Sequence, residues 1–176
     1  CTRAAVDVVS QLLVQRSDSR LSTLSAWIRE RAQALHMAWI ARQQGGAVRE
    51  CHGDLHMANI VLADGELTAF DCIEFDPMMR RIDVMSDIAF LTMDLKAHGR
   101  TDLAFRFLDA WLQHSGDHAG LQVLGFYEVY RALVRAMAAG LGPQAASKPD
   151  YLACAAQLAH SPRGRARLLV THGFSG

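Results

Sequence analysis

This sequence has no surplus of charge: Lys and Arg number 18 and Asp and Glu 18, a formal net charge of zero. Neither nucleic acid nor an anionic membrane surface is therefore an expected partner. It has no apolar run near the ~20 residues that span a bilayer, and no internal repeat or low-complexity tract. Its four cysteines, Cys1, Cys51, Cys72 and Cys154, form no Cys-x-x-Cys pair. With no secretory leader either, reduced thiols and a cytoplasmic location are expected rather than a disulfide framework. Lysine is scarce, with Lys96 and Lys148 its only instances. The sequence opens on Cys1 rather than Met, which leads us to expect an excerpt of a longer chain.

What is present describes an ordinary globular domain: 176 residues, 51% hydrophobic and 20% charged, long enough to bury most of its apolar surface. Helical spacing dominates. Val6, Val9, Leu12 and Leu13 predict a helix over Thr2 to Gln15. A single long helix is expected from Leu21 to Gln44, with Leu24, Trp27, Ile28, Leu35, Trp39 and Ile40 on its apolar face, Arg29, Glu30, Arg31 and Arg42 opposite, and His36 at the core or its boundary. Gly45-Gly46 ends it, and a short strand follows over Ala47 to Cys51. Further helices are expected over Val84 to His98, with Ile88, Leu91 and Leu95 facing inward, Thr101 to His114, Leu121 to Gly140, and Tyr151 to Ala159.

The functional signal is concentrated between Arg49 and Asp87. Asp54 and Asn59 stand five residues apart in HGDLHMAN. The apolar run Ile60 to Leu62, the turn Ala63-Asp64-Gly65-Glu66 and the run Leu67 to Phe70 then read as a hairpin with an Asp-Gly turn. A hairpin folds its ends together, so Asn59, entering the first strand, is brought near Asp71, leaving the second. Both offer hard oxygen donors suited to Mg²⁺, which takes one or two protein groups beside substrate phosphates. Asp54 is placed to accept a proton from an attacking hydroxyl. A carboxylate base, an Asn ligand and a later Asp ligand are what phosphoryl transfer asks of a protein. The segment CIEFDPMMRRID, with Pro77 inside it, is expected to be irregular. Arg80 and Arg81 read as surface ion-pair residues, Asp76 as a solvated or helix-capping residue, and Asp83 as the cap of the helix that follows.

HGDLHMAN, then FDCIEFD, then RIDVMSDIAFLTMDL resembles the catalytic half of the aminoglycoside phosphotransferase and choline kinase family, relatives of protein kinases. The resemblance implies an α+β, mainly helical fold: the C-terminal lobe of a kinase-like enzyme, with a small β-hairpin carrying the catalytic loop. It makes Asp54 the catalytic base, Asn59 and Asp71 the Mg²⁺ ligands, and Asp87 the brace of the loop, with His52 as a further support. His56 would pack the loop or contact a phosphate. Glu74 takes a place where an acidic residue is frequent in the family, and Arg131 and Arg135, one turn apart on a late helix of the kind that flanks the acceptor, are expected either to hold acidic residues such as Asp83 or Asp94 or to contact the acceptor. The implied activity is transfer of the ATP γ-phosphoryl group to a small-molecule hydroxyl, with ATP and Mg²⁺ required. The acidic region from 71 to 94 leans toward a cationic acceptor such as an aminoglycoside.

The same family needs an N-terminal lobe with a phosphate-covering loop and a Lys, and no candidate for either precedes Arg49. Residues 1–160 are thus expected to be the C-terminal lobe alone, inactive or nearly so by itself. The run ARLLVT ending in His172-Gly173-Phe174-Ser175-Gly176 reads as a strand entering a phosphate-binding loop. Here the resemblance is to bacterial two-part proteins in which a P-loop ATPase domain follows. Residues 161–176 would be the linker and first strand of that domain, with Gly173 and Gly176 in its truncated phosphate loop. Expected partners are the small-molecule acceptor, ATP, the N-terminal lobe and the P-loop domain of the parent chain. Two other readings stay open: a non-catalytic regulatory or binding module beside a P-loop ATPase, and a metal-dependent phosphoesterase, which would want further His ligands.

Overall fold

Helix-period patterning accounts for most of the chain in the structure, a computed structural model that describes residues 2–15, 17–140 and 149–161. The helices are α1 (Thr2–Gln15), α2 (Ser19–Ala34), α3 (His36–Gln44), α4 (Pro77–Arg80), α5 (Val84–Ala97), α6 (Thr101–Ser115), α7 (Leu121–Gly140) and α8 (Tyr151–His160). Four short strands, β1 (Val48–Glu50), β2 (Ile60–Ala63), β3 (Glu66–Ala69) and β4 (Arg81–Asp83), complete a mainly helical α+β architecture. No described helix is long and apolar enough to cross a membrane.

At the centre lies α5. Every residue from Met85 to Leu95 is buried, so the expected inward face of Ile88, Leu91 and Leu95 is too narrow. A helix enclosed all round is a core helix, and α1, α2, α7 and α8 supply the rest of that core through residues such as Leu12, Leu24, Phe126, Leu133 and Leu152. A smaller cluster of Leu91, Leu95 and Ala104 receives Leu55 and Ile60. It seats the segment between β1 and β2 against α5 and α6.

The strands form two separate antiparallel pairs. Ile60 stands opposite Ala69 and Ala63 opposite Glu66, leaving Asp64-Gly65 as a two-residue turn. Both turn residues have positive φ, 52° and 82°, as a type I′ hairpin requires of its central positions. The hairpin is the one expected. The other pair joins Val48 to Asp83 and Glu50 to Arg81, and it corrects the expectation that 72–83 is irregular. Asp76 caps α4 by accepting from the Met78 N–H at 2.9 Å, with Pro77 at the first helical position, an arrangement that suits a residue lacking an N–H. β4 is too short for its own pattern to announce it, and its partner is remote in sequence. Arg80 pairs with Glu50, while Arg81 is exposed.

The single helix expected over Leu21 to Gln44 is also corrected. Leu35 has φ −94° and ψ 0° and separates α2 from α3; it stays 2% exposed while the following helix is re-aimed. His36 is consequently exposed instead of at the core. Arg42, expected on the polar face, is buried. Its Nε and Nη2 donate to Asp83 at 2.6 and 2.7 Å, and its Nη1 and Nη2 donate to Asp117, both at 2.8 Å. Asp83 also caps α5 through the Met85 N–H at 2.9 Å. One guanidinium thereby ties α3 to the start of α5 and to the turn before α7.

Candidate functional site

Loop His52–Asn59 is short of local structure of its own, ending in a single 3₁₀ turn, Met57–Asn59. Its order comes from α5. Asp87, buried in the first turn of that helix, accepts from the His52 N–H at 2.7 Å and from the Gly53 N–H at 3.1 Å to each oxygen. Two turns along the same face, Asp94 accepts from the Met57 N–H at 2.9 Å and from the Tyr151 hydroxyl at 2.7 Å. Two buried carboxylates of one helix therefore grip the loop at both ends. Gly53 is required between them. Its φ is +85°, and a Cβ there would lie 2.9 Å from Ile73 Cδ1.

His52 completes the brace. Its Nε2 lies 2.8 Å from the Phe70 carbonyl oxygen, an acceptor only, so Nε2 carries the hydrogen and Nδ1 is free to accept the Asp54 N–H at 3.3 Å. One ring thus links the loop to the strand that leads into Asp71.

Asp54 sits at the loop's exposed edge, its side chain 41% exposed. The Asn59 amide donates to the Asp54 carbonyl at 3.0 Å and to Oδ2 at 3.2 Å. Because both partners are acceptors, the amide nitrogen must face Asp54, which leaves Asn59 Oδ1 without a hydrogen-bond partner among the described residues. His56 Nε2 stands 3.3 Å from Asp54 Oδ2, and its hydrogen bond is the main reason the Asp54 carboxyl is held below the usual carboxylate value; burial opposes this, and the Arg131 and Arg135 charges assist. Asp54 is thus ionised at neutral pH.

His56 itself is 5% exposed and packs against Phe90 with ring centroids 5.4 Å apart. Its Nε2 also lies 3.2 Å from Arg135 Nη1. A single ring nitrogen cannot donate to Asp54 and accept from Arg135 at once; beside the ionised Asp54 carboxylate, an acceptor only, Nε2 carries the hydrogen and donates to it. Its Nδ1 is then buried with no hydrogen-bond partner.

Asp71 follows β3 at φ 59°, a left-handed conformation that Asp tolerates better than most residues. Its carboxylate makes no hydrogen bond or ion pair with any described residue. The Phe70 N–H donates to the Asn59 carbonyl at 3.0 Å, so the hairpin's open end brings the Asn59 and Asp71 backbones together as its topology requires. Glu74 is exposed and joins no described contact. Arg131 and Arg135 are not bound to Asp83 or Asp94, the acidic partners the sequence offers them. Arg131 is buried with its guanidinium 4.6 Å above the Phe90 ring and Nε 3.2 Å from Ser86 Oγ; Arg135 lies over Tyr151 as well as reaching His56. Gly173 and Gly176 lie outside the described residues.

Mg²⁺ fits this donor set in chemistry. Asn59 Oδ1 and the Asp71 carboxylate are hard oxygens with no competing partner, and an ion shared with substrate phosphates needs only one or two protein ligands. Among the described residues no group of three His, Cys, Asp or Glu side chains converges, which is the arrangement a closed all-protein metal cage would need.

Sequence reasoning missed Asp94 and Tyr151 as loop anchors, although the spacing of Asp87 and Asp94 on a core helix is a visible signal. Tyr151 carried none, being remote in sequence. The chain is 37% identical over 141 residues to uncharacterized proteins of Mycobacterium tuberculosis, strains ATCC 25618 / H37Rv and CDC 1551 / Oshkosh, and of Mycobacterium bovis. That similarity covers 77% of this chain and 28% of each relative, so the chain spans little more than a quarter of the curated relatives it matches. No family model and no solved structure matches it.

Proposed function

We propose that this chain carries the catalytic loop of an ATP-dependent small-molecule kinase of the aminoglycoside phosphotransferase-like kind. The observation that carries this reading is the asymmetry of the loop. Its back is clamped to α5 by Asp87 and Asp94, while Asp54 and Asp71 reach solvent and the buried Asn59 keeps Oδ1 without a partner among the described residues. Such a layout suits a reaction in which the protein mainly positions and neutralises.

In this mechanism the acceptor hydroxyl is oriented by Asp54, whose carboxylate takes its proton. The hydroxyl oxygen bonds to the γ-phosphorus as the bond to the β–γ bridging oxygen breaks, and ADP leaves with that electron pair. Asn59 and Asp71 would hold Mg²⁺, which supplies charge neutralisation to the phosphates when bound. Asn59 does double duty, because its amide hydrogens fix Asp54 while its oxygen remains available. The covering lobe for ATP, and a following P-loop domain, belong in this reading to the parent chain.

The test is acceptor phosphorylation by the full-length protein with Mg²⁺ and ATP, wild type against Asp54→Ala and Asp71→Ala. Asp54→Ala is expected to cost roughly 10²–10⁴-fold in transfer while ATP still binds, and Asp71→Ala at least as much. Phosphorylated acceptor is the readout, since a P-loop domain could hydrolyse ATP by itself. Transfer unchanged in both variants would sink the reading. No product with any acceptor, with ATPase activity indifferent to both changes, would favour a regulatory module.

A further inference from the structure

Directly behind the catalytic loop lies a cavity of about 500 Å³ whose wall includes Gly53, Trp39, Tyr127, Tyr130 and Arg131. That volume is in the range of small-molecule sites, and the wall combines three aromatic rings with charged and polar groups such as Arg81, Asp83, Ser86 and Arg131. The polar groups in its wall are unequal. Asp83 lines it too, but that carboxylate is already compensated by Arg42 at 2.6 and 2.7 Å, the Met85 N–H and the Tyr127 hydroxyl. Arg131 is not compensated in the same way.

The Arg131 residue is only 8% exposed. Its Nε reaches Ser86, yet neither terminal nitrogen donates a hydrogen bond to any described residue. The nearest carboxylate oxygen, Asp87 Oδ1, is 3.8 Å from Nη2, too far for a hydrogen bond, and Asp87 is engaged by the His52 and Gly53 amides. Burial pulls the Arg131 pKa below the usual arginine value. A desolvated cation with spare N–H groups is costly unless something anionic meets it, and a guanidinium fork matches the two oxygens of a carboxylate or phosphate. The other free charge on the wall, Arg81, has the same sign.

We infer that this cavity binds a small molecule carrying an oxyanion, carboxylate or phosphate, which Arg131 holds while an apolar or aromatic body lies against Trp39, Tyr127 and Tyr130. Of the loop, the wall includes Gly53 but not Asp54 or Asn59, so this ligand lies behind the loop. The inference rests on the cavity and on Arg131, independently of the kinase reading.

Calorimetric titration of the full-length protein, without ATP, separates the possibilities. The probes are 3-phenyllactate, its neutral counterpart 3-phenylpropane-1,2-diol, its cationic counterpart 2-amino-3-phenylpropan-1-ol, and phenyl phosphate. One of the two anions is expected to bind at least about tenfold more tightly than the diol and the amine, a factor equal to 1.4 kcal/mol, and whichever binds better names the oxyanion. Arg131→Met should erase the preference and Arg131→Lys should keep part of it. Ala4→Trp, which narrows the cavity from α1 without altering its charge, should weaken both anions. Circular dichroism and melting of each variant guard against a folding defect. Equal binding of anions, diol and amine, or no saturable binding of either anion, overturns the inference. Anion binding without phosphoryl transfer would leave the pocket standing and remove the kinase; transfer to amine acceptors without anion binding would do the reverse.

Discussion

The loop His52–Asn59 and the hairpin β2–β3 follow one another directly, yet they are ordered by opposite means. The loop is held by side chains of another element, with Asp87 and Asp94 of α5 satisfying its amides, and its own His56 and Asn59 are buried. The hairpin is held by its own backbone. Leu62 and Leu67 are 71% and 78% exposed, so burial does little to fix its register, and the Asp64-Gly65 turn does most of it. Polar residues lie inside and apolar ones outside, the reverse of the usual pattern. Polar groups that must present a fixed geometry need buried partners, whereas a two-stranded ribbon needs only a turn. The exposed apolar side chains of Val61, Leu62, Leu67 and Phe70 are the counterpart of that economy.

Damage to the buried polar groups around α5 should far exceed damage to the hairpin. The largest loss is expected from Arg42→Met, which strands Asp83 and Asp117 and should cost about 3–5 kcal/mol in denaturant unfolding. It should also change the acid limb of stability. The Arg42 guanidinium holds Asp117 below its ordinary value of 3.8, so ionised Asp117 stabilises the fold above that pH. The contribution fades as pH falls through the lower folded value. Arg42→Met should flatten this dependence, and an unchanged acid limb would show that the pair does not stabilise the fold.

Next comes Asp87→Ala, which leaves the His52 and Gly53 amides without their carboxylate, removes the carboxylate nearest Arg131, 3.8 Å away, and should cost about 3 kcal/mol. Hydrogen exchange at those two amides is the sharper readout. Exchange as slow as in the unaltered protein would mean that the loop orders itself. Gly65→Ala should cost about 1 kcal/mol in the 176-residue chain through its φ of 82°. Leu67→Thr, on an exposed strand position, should stay within about 0.5 kcal/mol. A Leu67→Thr loss as large as that of Asp87→Ala would erase the contrast.

Much of this was legible in the sequence. The hairpin was, because Asp-Gly between two short apolar runs is a local signal with a local cause. So were α1, α6 and α7, whose periodicity repeats over several turns. Leu35 was not, since nothing in its side chain breaks a helix and only the competition between its burial and the new direction of α3 does. Arg42 looked like a surface residue until Asp83 and Asp117 met it. Residue order and spacing made Asp54, Asn59 and Asp71 candidates, and the structure joins Asp54 to Asn59, but Asp94 and Tyr151 had no nearby partner in sequence to give them meaning.

What the sequence determined by itself was the set of elements and the list of polar residues worth watching, because periodicity, turn chemistry and caps act over a few residues. The tertiary structure alone decided which carboxylates serve the loop, which one Arg42 neutralises, and that Arg131 is buried with spare donors beside a cavity. Those outcomes depend on desolvation and on contacts between remote segments, and both exist only once the chain has closed around α5.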